Sequence, residues 1–273
     1  MVVRRWPSSR RPEAPRSLPT MLGYTTRCDL TSDRPGKGYG RKKRELGLKW
    51  VETFQAYADL KPDEAVLDVG CGPGRMALAL AAYLGPEGRY EGFDVNPADI
   101  DWCKSEIEPR WPNSRFQLID LHNGLYNPDG AAQADRVRFP YDDGTFDFVF
   151  MTSVLTHLLP DELSNYLHET ARVLKPSGRC LITYFVLNET ARAGIHRRHS
   201  RFTFSHPVAP SGWTESPDQP ERAIAYEEGF LREEYRRANL AVVEPIRPGA
   251  WSGVLYDPPP RHSQDTVVAR PRA

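Results

Sequence analysis

The sequence predicts an α/β fold, a mostly parallel sheet with helices on both faces. Three observations carry this. Strand-like apolar runs alternate with segments of helical periodicity along most of the chain, the pattern that builds right-handed βαβ units. One such run, Ala65 to Val69, opens directly into the glycine turn Gly70-Cys71-Gly72-Pro73-Gly74. Finally, Gly70, Asp94, Asp120 and Met151-Thr152-Ser153 each end a strand-like run. They therefore gather at the carboxyl edge of the sheet, where such folds bind ligands.

The elements follow in order. From Lys42 to Tyr57, the residues Leu46, Trp50, Val51, Phe54 and Tyr57 form the stripe of an amphipathic helix, broken by Lys61-Pro62-Asp63. Ala65–Val69 reads as a buried strand, and Arg75 to Leu84 as a helix stopped by Gly85-Pro86. Tyr90 to Phe93 is the second strand. Pro97 to Ile107 is a helix whose proline suits the first turn. Phe116 to Ile119 and Phe146 to Met151 are the third and fourth strands. Asp161 to Leu174 is a helix with Leu163, Leu167 and Leu174 on one face. Asp161 is placed to serve its free N–H groups, and Pro176-Ser177-Gly178 ends it. Cys180 to Leu187 is the fifth strand, Tyr226 to Ala238 a helix, and Leu240 to Ile246 and Thr266 to Ala269 complete seven strands.

Residues 1–40 differ from the rest. Arg4, Arg5, Arg10, Arg11 and Arg16 are mixed with Pro7, Pro12, Pro15 and Pro19, and prolines at that density prevent a stable helix. A disordered extension, an organelle-targeting segment and a true start at Met21 all remain open readings. Residues 41–273 are read as one domain with insertions near 121–143 and 188–226. In the second, Arg197, Arg198, Arg201, Phe202, Phe204, His206, Trp213 and Tyr226 form a long connection that reads either as a cover lining an acceptor pocket, with Trp251 from a nearby loop walling it, or as a mobile surface loop.

With 36 basic and 36 acidic side chains, the chain has no global field that would point to nucleic acid or membrane. Cys28, Cys71, Cys103 and Cys180 lack metal-ligand spacing and read as reduced thiols of a cytoplasmic protein. No apolar run approaches the about 20 residues that cross a bilayer.

The glycine turn carries the chemistry. Glycines let the backbone turn sharply and approach a ligand closely, because no Cβ intervenes. Asp94 closes the next strand, where a carboxylate can accept hydrogen bonds from both hydroxyls of a ribose. A dinucleotide fingerprint would read G-x-G-x-x-G, with phosphate on the following helix N-terminus. Here the third glycine comes one residue early, and Arg75 and Met76 follow it.

Asp68-Val-Gly-Cys-Gly-Pro-Gly74 resembles the first motif of class I S-adenosylmethionine (SAM)-dependent methyltransferases. Phe146-Asp147-Phe148-Val149 and Ala171-Arg172-Val173-Leu174-Lys175-Pro176-Ser177-Gly178 extend the resemblance. His262 to Val268 is similar to the final strand of bacterial members. The resemblance spans about Lys42 to Arg270 and is strongest to small-molecule methyltransferases of quinone biosynthesis. It implies a Rossmann-like, seven-stranded sheet with an antiparallel terminal strand, and SAM as cofactor. Gly70, Cys71, Gly72 and Gly74 would contact the methionine part, Asp68 its amine and Asp94 the ribose. Val95, Asp120 and Leu121 would hold the adenine. Thr152 and Ser153 would face the sulfonium, and His157 is the candidate general base. The implied reaction is methyl transfer to a small-molecule acceptor by a monomer or homodimer, with neither nucleic acid nor membrane as partner and no metal. Two alternatives remain: an NAD(P)-dependent oxidoreductase, and a SAM-binding interaction protein without catalysis.

Overall fold

A computed structural model describes residues 41–272. The extension read over residues 1–40, Cys28 included, lies outside the described residues. The strands in chain order are β1 (Ala65–Val69), β2 (Arg89–Asp94), β3 (Ser114–Leu118), β4 (Phe146–Met151), β5 (Leu174–Tyr184), β6 (Val186–Leu187), β7 (His206–Val208), β8 (Gly212–Thr214), β9 (Ile224–Glu227), β10 (Leu240–Arg247) and β11 (Asp265–Pro271). The helices are α1 (Arg41–Ala58), α2 (Arg75–Tyr83), α3 (Pro97–Glu106), α4 (Pro160–Val173), α5 (Glu189–His196) and α6 (Glu228–Arg237).

Seven strands form the main sheet in the order β10-β11-β5-β4-β1-β2-β3. Strands β1 to β5 are parallel, and β11 runs antiparallel to both β5 and β10. The chain moves outward from β1 to β3 and then returns to place β4 on the other side of β1. That reversal opens a crevice at the carboxyl ends of β1 and β4. Alternate side chains divide between two cores. Val66, Phe148, Phe150, Leu181 and Val268 pack with Trp50, Phe54, Leu80 and Ile100 of α1, α2 and α3. Leu67, Val69, Val149, Ile182 and Val267 pack with Leu163 and Leu167 of α4 and Tyr235 of α6.

Several expectations change in detail. The buried stripe of α1 runs through Gly47, Trp50, Val51, Phe54 and Ala58, while Leu46 is exposed. Gly47 replaces it because α1 crosses the start of α2 closely: a Cβ there would lie 2.8 Å from the Arg75 carbonyl oxygen. Asp161 does not cap α4. Glu162 does, accepting the Leu159 N–H at 2.6 Å. The chain turns extended at Leu174, which pairs with Phe146, so Pro176-Ser177-Gly178 lies within β5 rather than before it. Tyr226 belongs to β9, and α6 begins at Glu228.

Residues 186–227 form structure of their own rather than a loop. Strands β6, β9, β8 and β7 make a second sheet, and Phe185, Leu187, Phe204, Ala225 and Trp251 form its core. Trp251 is therefore buried, not a pocket wall. One carboxylate ties this unit to the main sheet. Asp265, at the start of β11, accepts the N–H groups of Gly249 (2.7 Å), Val186 (2.7 Å) and the Trp251 indole (2.6 Å). Burial pushes its carboxyl up to about 6 against those three donors. The insertion after β3 is also ordered. Asn165 holds the carbonyls of Ala134 and Val137, and Arg172 holds those of Phe139 and Tyr141.

Asp265→Ala strands three buried donors at once. It should lower the stability to urea by about 3 kcal/mol or more, since each stranded donor costs about 1–3 kcal/mol.

Candidate active site

The turn after β1 is held from β2. The amides of Gly70 and Cys71 both donate to the Phe93 carbonyl (2.9 and 3.0 Å), and that of Gly74 to the Cys71 carbonyl (3.1 Å). The Gly72 amide donates to Asp94 Oδ2 at 2.7 Å, while Asp94 Oδ1 accepts from Asn96 N at 2.9 Å. Pro73 has no N–H. Every amide of the turn is consumed, so the turn presents no nest of donors to a phosphate. Gly70, Gly72 and Gly74 all have positive φ, at 75°, 51° and 75°. A Cβ on Gly70 would strike Val154 at 2.5 Å, but one on Gly72 would meet nothing within 4 Å. The space over Gly72 is open for a ligand.

Asp94 is half-buried. Burial raises its carboxyl, and the Asn96 and Gly72 amides pull it down. Asp68 lies deeper, with its Oδ2 accepting from the Tyr90 hydroxyl at 2.7 Å. Burial raises its carboxyl to about 7, opposed by the Tyr90 bond and the charge of Arg75. Cys71 is buried, and burial pushes its thiol up as well.

At the end of β3, Asp120 is exposed and accepts the Ala131 amide at 3.3 Å. Leu121 is buried and its amide donates to the Ile119 carbonyl at 2.9 Å. This N–H, expected to face an adenine, is committed within the chain. Val95 packs on the core beneath. The insertion then turns back through Asn123, whose Oδ1 accepts the amides of Leu125 and Tyr126, both at 3.1 Å. Tyr126 lies edge-on to His157, ring centroids 5.4 Å apart. Its phenol is raised by burial and by the Asp94 carboxylate, so the insertion reaches from the β2 end to His157.

Beyond β4, Thr152 is half-buried and Ser153 is exposed in the left-handed region, at φ 60°. Ser153 is locked there by two side chains that sequence reasoning did not single out. Its amide donates to Thr183 Oγ1 (2.9 Å) and its hydroxyl to Gln264 Oε1 (2.8 Å). Thr183 also donates to Gln264 (2.7 Å). His157 ends a short 3₁₀ turn, Leu155–His157. Its Nδ1 is 2.7 Å from the Glu221 carbonyl, which only accepts, so Nδ1 carries the proton and Nε2 is the basic nitrogen. Burial lowers its pKa below the ordinary 6.5, and the Glu221 carbonyl opposes this.

Residues 67–182 match the family described as a methyltransferase domain. A demethylmenaquinone methyltransferase of Lactobacillus johnsonii is 31% identical over 48% of this chain and 47% of its own length. The chain thus spans about half of that relative. Among solved structures, a protein of Pyrococcus horikoshii superposes with TM-score 0.56 at 18% identity, over 86% of this chain and 93% of its own. A Burkholderia thailandensis 1,6-didemethyltoxoflavin-N1-methyltransferase, solved with its substrate and S-adenosylhomocysteine, does so with TM-score 0.51 at 18% identity, over 98% and 94%. Residues 67–182 are thus similar in sequence to methyltransferases, and the solved neighbours share the fold.

Asp68, with its folded pKa raised to about 7 from 3.8, favours the unliganded fold most below pH about 4 and loses that contribution as pH rises through about 7. Asp68→Asn should remove this part of the slope. Urea unfolding of both proteins between pH 4 and 8 measures the difference, and parallel curves would refute it.

Proposed function

We propose that the protein transfers the SAM methyl group to a small-molecule acceptor, by in-line displacement on the methyl carbon. The observation that carries this is the closed set of amides beneath an open Gly72, with Asp94 beside it. A turn without free N–H groups offers carbonyls and carboxylates, which suits a ligand presenting an ammonium and ribose hydroxyls rather than a pyrophosphate. That also weighs against the nicotinamide reading. Asp94 keeps lone pairs for the ribose while it holds the turn. Asp68 is the acceptor for the amine, and Tyr126 and Val95 flank the adenosine side. Thr152 and Ser153 face the reacting centre, with Asp120 at the rim.

SAM supplies an electrophilic methyl group, and the chain supplies alignment, worth up to roughly 7–11 kcal/mol in favourable cases. His157 fits a base by tautomer: Nδ1–H is fixed by Glu221, and Nε2 is free to take the acceptor's proton. A cavity of about 210 Å³ lies where β5 passes into the second sheet, lined by Asn188, Glu228, Arg232, Glu244, Tyr256 and Asp265. Cys71, Cys103 and Cys180 form no disulfide among the described residues, which supports a cytoplasmic setting.

Calorimetry with S-adenosylhomocysteine tests the cofactor site, and no binding at millimolar ligand would sink it. Asp94→Ala should weaken that binding by about 1–3 kcal/mol, the scale of hydrogen bonds involving charge. Labelled SAM incubated with cell extract identifies the acceptor. With that acceptor, His157→Ala should keep cofactor affinity and slow turnover by about 10²–10⁴-fold. Because His157 titrates below 6.5, the unchanged enzyme should lose rate only as pH falls through that lower value. A pH–rate profile identical in the variant would exclude the base.

A further inference from the structure

The last strand of the main sheet reaches the crevice through one side chain. Gln264 stands immediately before β11, which lies beside β5 and one strand away from β4. Its amide crosses the end of β5. Oε1 takes the hydroxyl protons of Ser153 (2.8 Å) and Thr183 (2.7 Å), and Nε2 reaches Thr156 Oγ1 at 3.4 Å. Thr183 Oγ1 in turn accepts the Ser153 amide at 2.9 Å. Docking of β11 does not need these bonds. Its ladder with β5 runs from the Asp265–Tyr184 pair to the Ala269–Cys180 pair, and the Asp265 carboxylate adds three buried N–H donors.

The network instead shapes the exit from β4. Ser153 is not glycine, yet it stands at φ 60°, a conformation that persists only where the surroundings over-determine it. The next residue, Val154, packs on the glycine turn: a Cβ on Gly70 would lie 2.5 Å from its side chain. The Val154 carbonyl accepts the His157 amide at 2.9 Å. The kink at Ser153 therefore sets where this segment stands against the turn and where His157 sits.

Proton directions follow. A carbonyl oxygen only accepts, so the Ser153 hydroxyl proton is committed to Gln264. Ser153, which is exposed, has lone pairs left for anything outside the chain. His157 gives its Nδ1 proton to the Glu221 carbonyl and keeps a lone pair on Nε2. Ser153 and His157 thus both ask for a donor.

We propose that Gln264 is a positioning residue for methyl transfer. By taking the Ser153 proton it makes Oγ a hydrogen-bond acceptor for the substrate, whose nucleophile is therefore a neutral O–H or N–H group rather than a carboxylate or thiolate. This rests on the methyl-transfer reading of the same edge. The nucleophile's lone pair forms the new bond to the methyl carbon, the carbon–sulfur pair stays with sulfur, and the nucleophile's proton passes to His157 Nε2.

In the test, labelled SAM is incubated with cell extract, the labelled product is identified, and rates with that acceptor are compared among variants. Gln264→Met should lower kcat by about 10- to 100-fold, the scale of a misplacement near the reacting atoms. Calorimetry should find its S-adenosylhomocysteine affinity within about threefold, because the glycine turn and Asp94 are held from β2. Gln264→Glu keeps accepting oxygens and should restore most of the rate. Ser153→Ala should lose about as much as Gln264→Met, and serves in its place if that variant does not fold. The double variant should be no slower than Ser153→Ala alone, since the two residues act as one unit. Losses that multiply would overturn the assignment, as would full rate in Gln264→Met or a glutamate variant no faster than the methionine one. So would an equal fall in cofactor affinity, which would mean a merely structural role. A labelled product that is a methyl ester or a thioether would overturn the substrate class. If the unchanged protein bound S-adenosylhomocysteine but labelled nothing, the methyl-transfer reading would fall and this assignment with it, a result distinct from failure of Gln264 alone.

Discussion

The carboxylate of Asp94 is the constraint on which the rest of the site depends. One oxygen takes the Gly72 amide and the other the Asn96 amide. The turn after β1 and the turn after β2 are thereby joined across the parallel register that pairs Val69 with Phe93. Phe93 supplies a second point of attachment by accepting two amides from the same turn. With every donor engaged, the open side of the turn is an acceptor surface. Being half-buried, the carboxylate has a raised pKa, so the two amides that stabilise its ionised form also maintain its capacity to accept further hydrogen bonds.

Two buried carboxylates show how differently one chain treats charge. Asp265 receives three N–H donors and joins the second sheet to the first. Asp68 receives one hydroxyl, with an arginine nearby but not in contact. The first is satisfied within the fold, as a structural group must be. The second, with a hydroxyl as its hydrogen-bond partner, is pushed up to about 7 by burial.

The edge beyond β4 is assembled from distant segments. Glu221, from the second sheet's region, sets the tautomer of His157, and Tyr126 of the first insertion covers its ring edge-on. Gln264, immediately before β11, holds Ser153 in its left-handed conformation together with Thr183 of β5. The strand ends supply the groups, and the insertions orient them.

The order of the main-sheet strands, their parallel run and the residues at the strand ends were legible in the sequence, whereas the antiparallel last strand came from the family resemblance. The legible features depend on local signals: apolar period, glycine spacing, a carboxylate closing a strand. Tertiary structure alone decided which of those groups are free. Nothing local to Leu121 says that its amide turns back to Ile119, nor does any local signal place Trp251 beside Asp265 rather than in a pocket. The region 186–227 looked like a loop because its strands are three or four residues long at most, too short for periodicity to register. Hydrogen-bond partners far apart in sequence are chosen by packing, and a side chain's chemistry follows from what its neighbours leave unsatisfied.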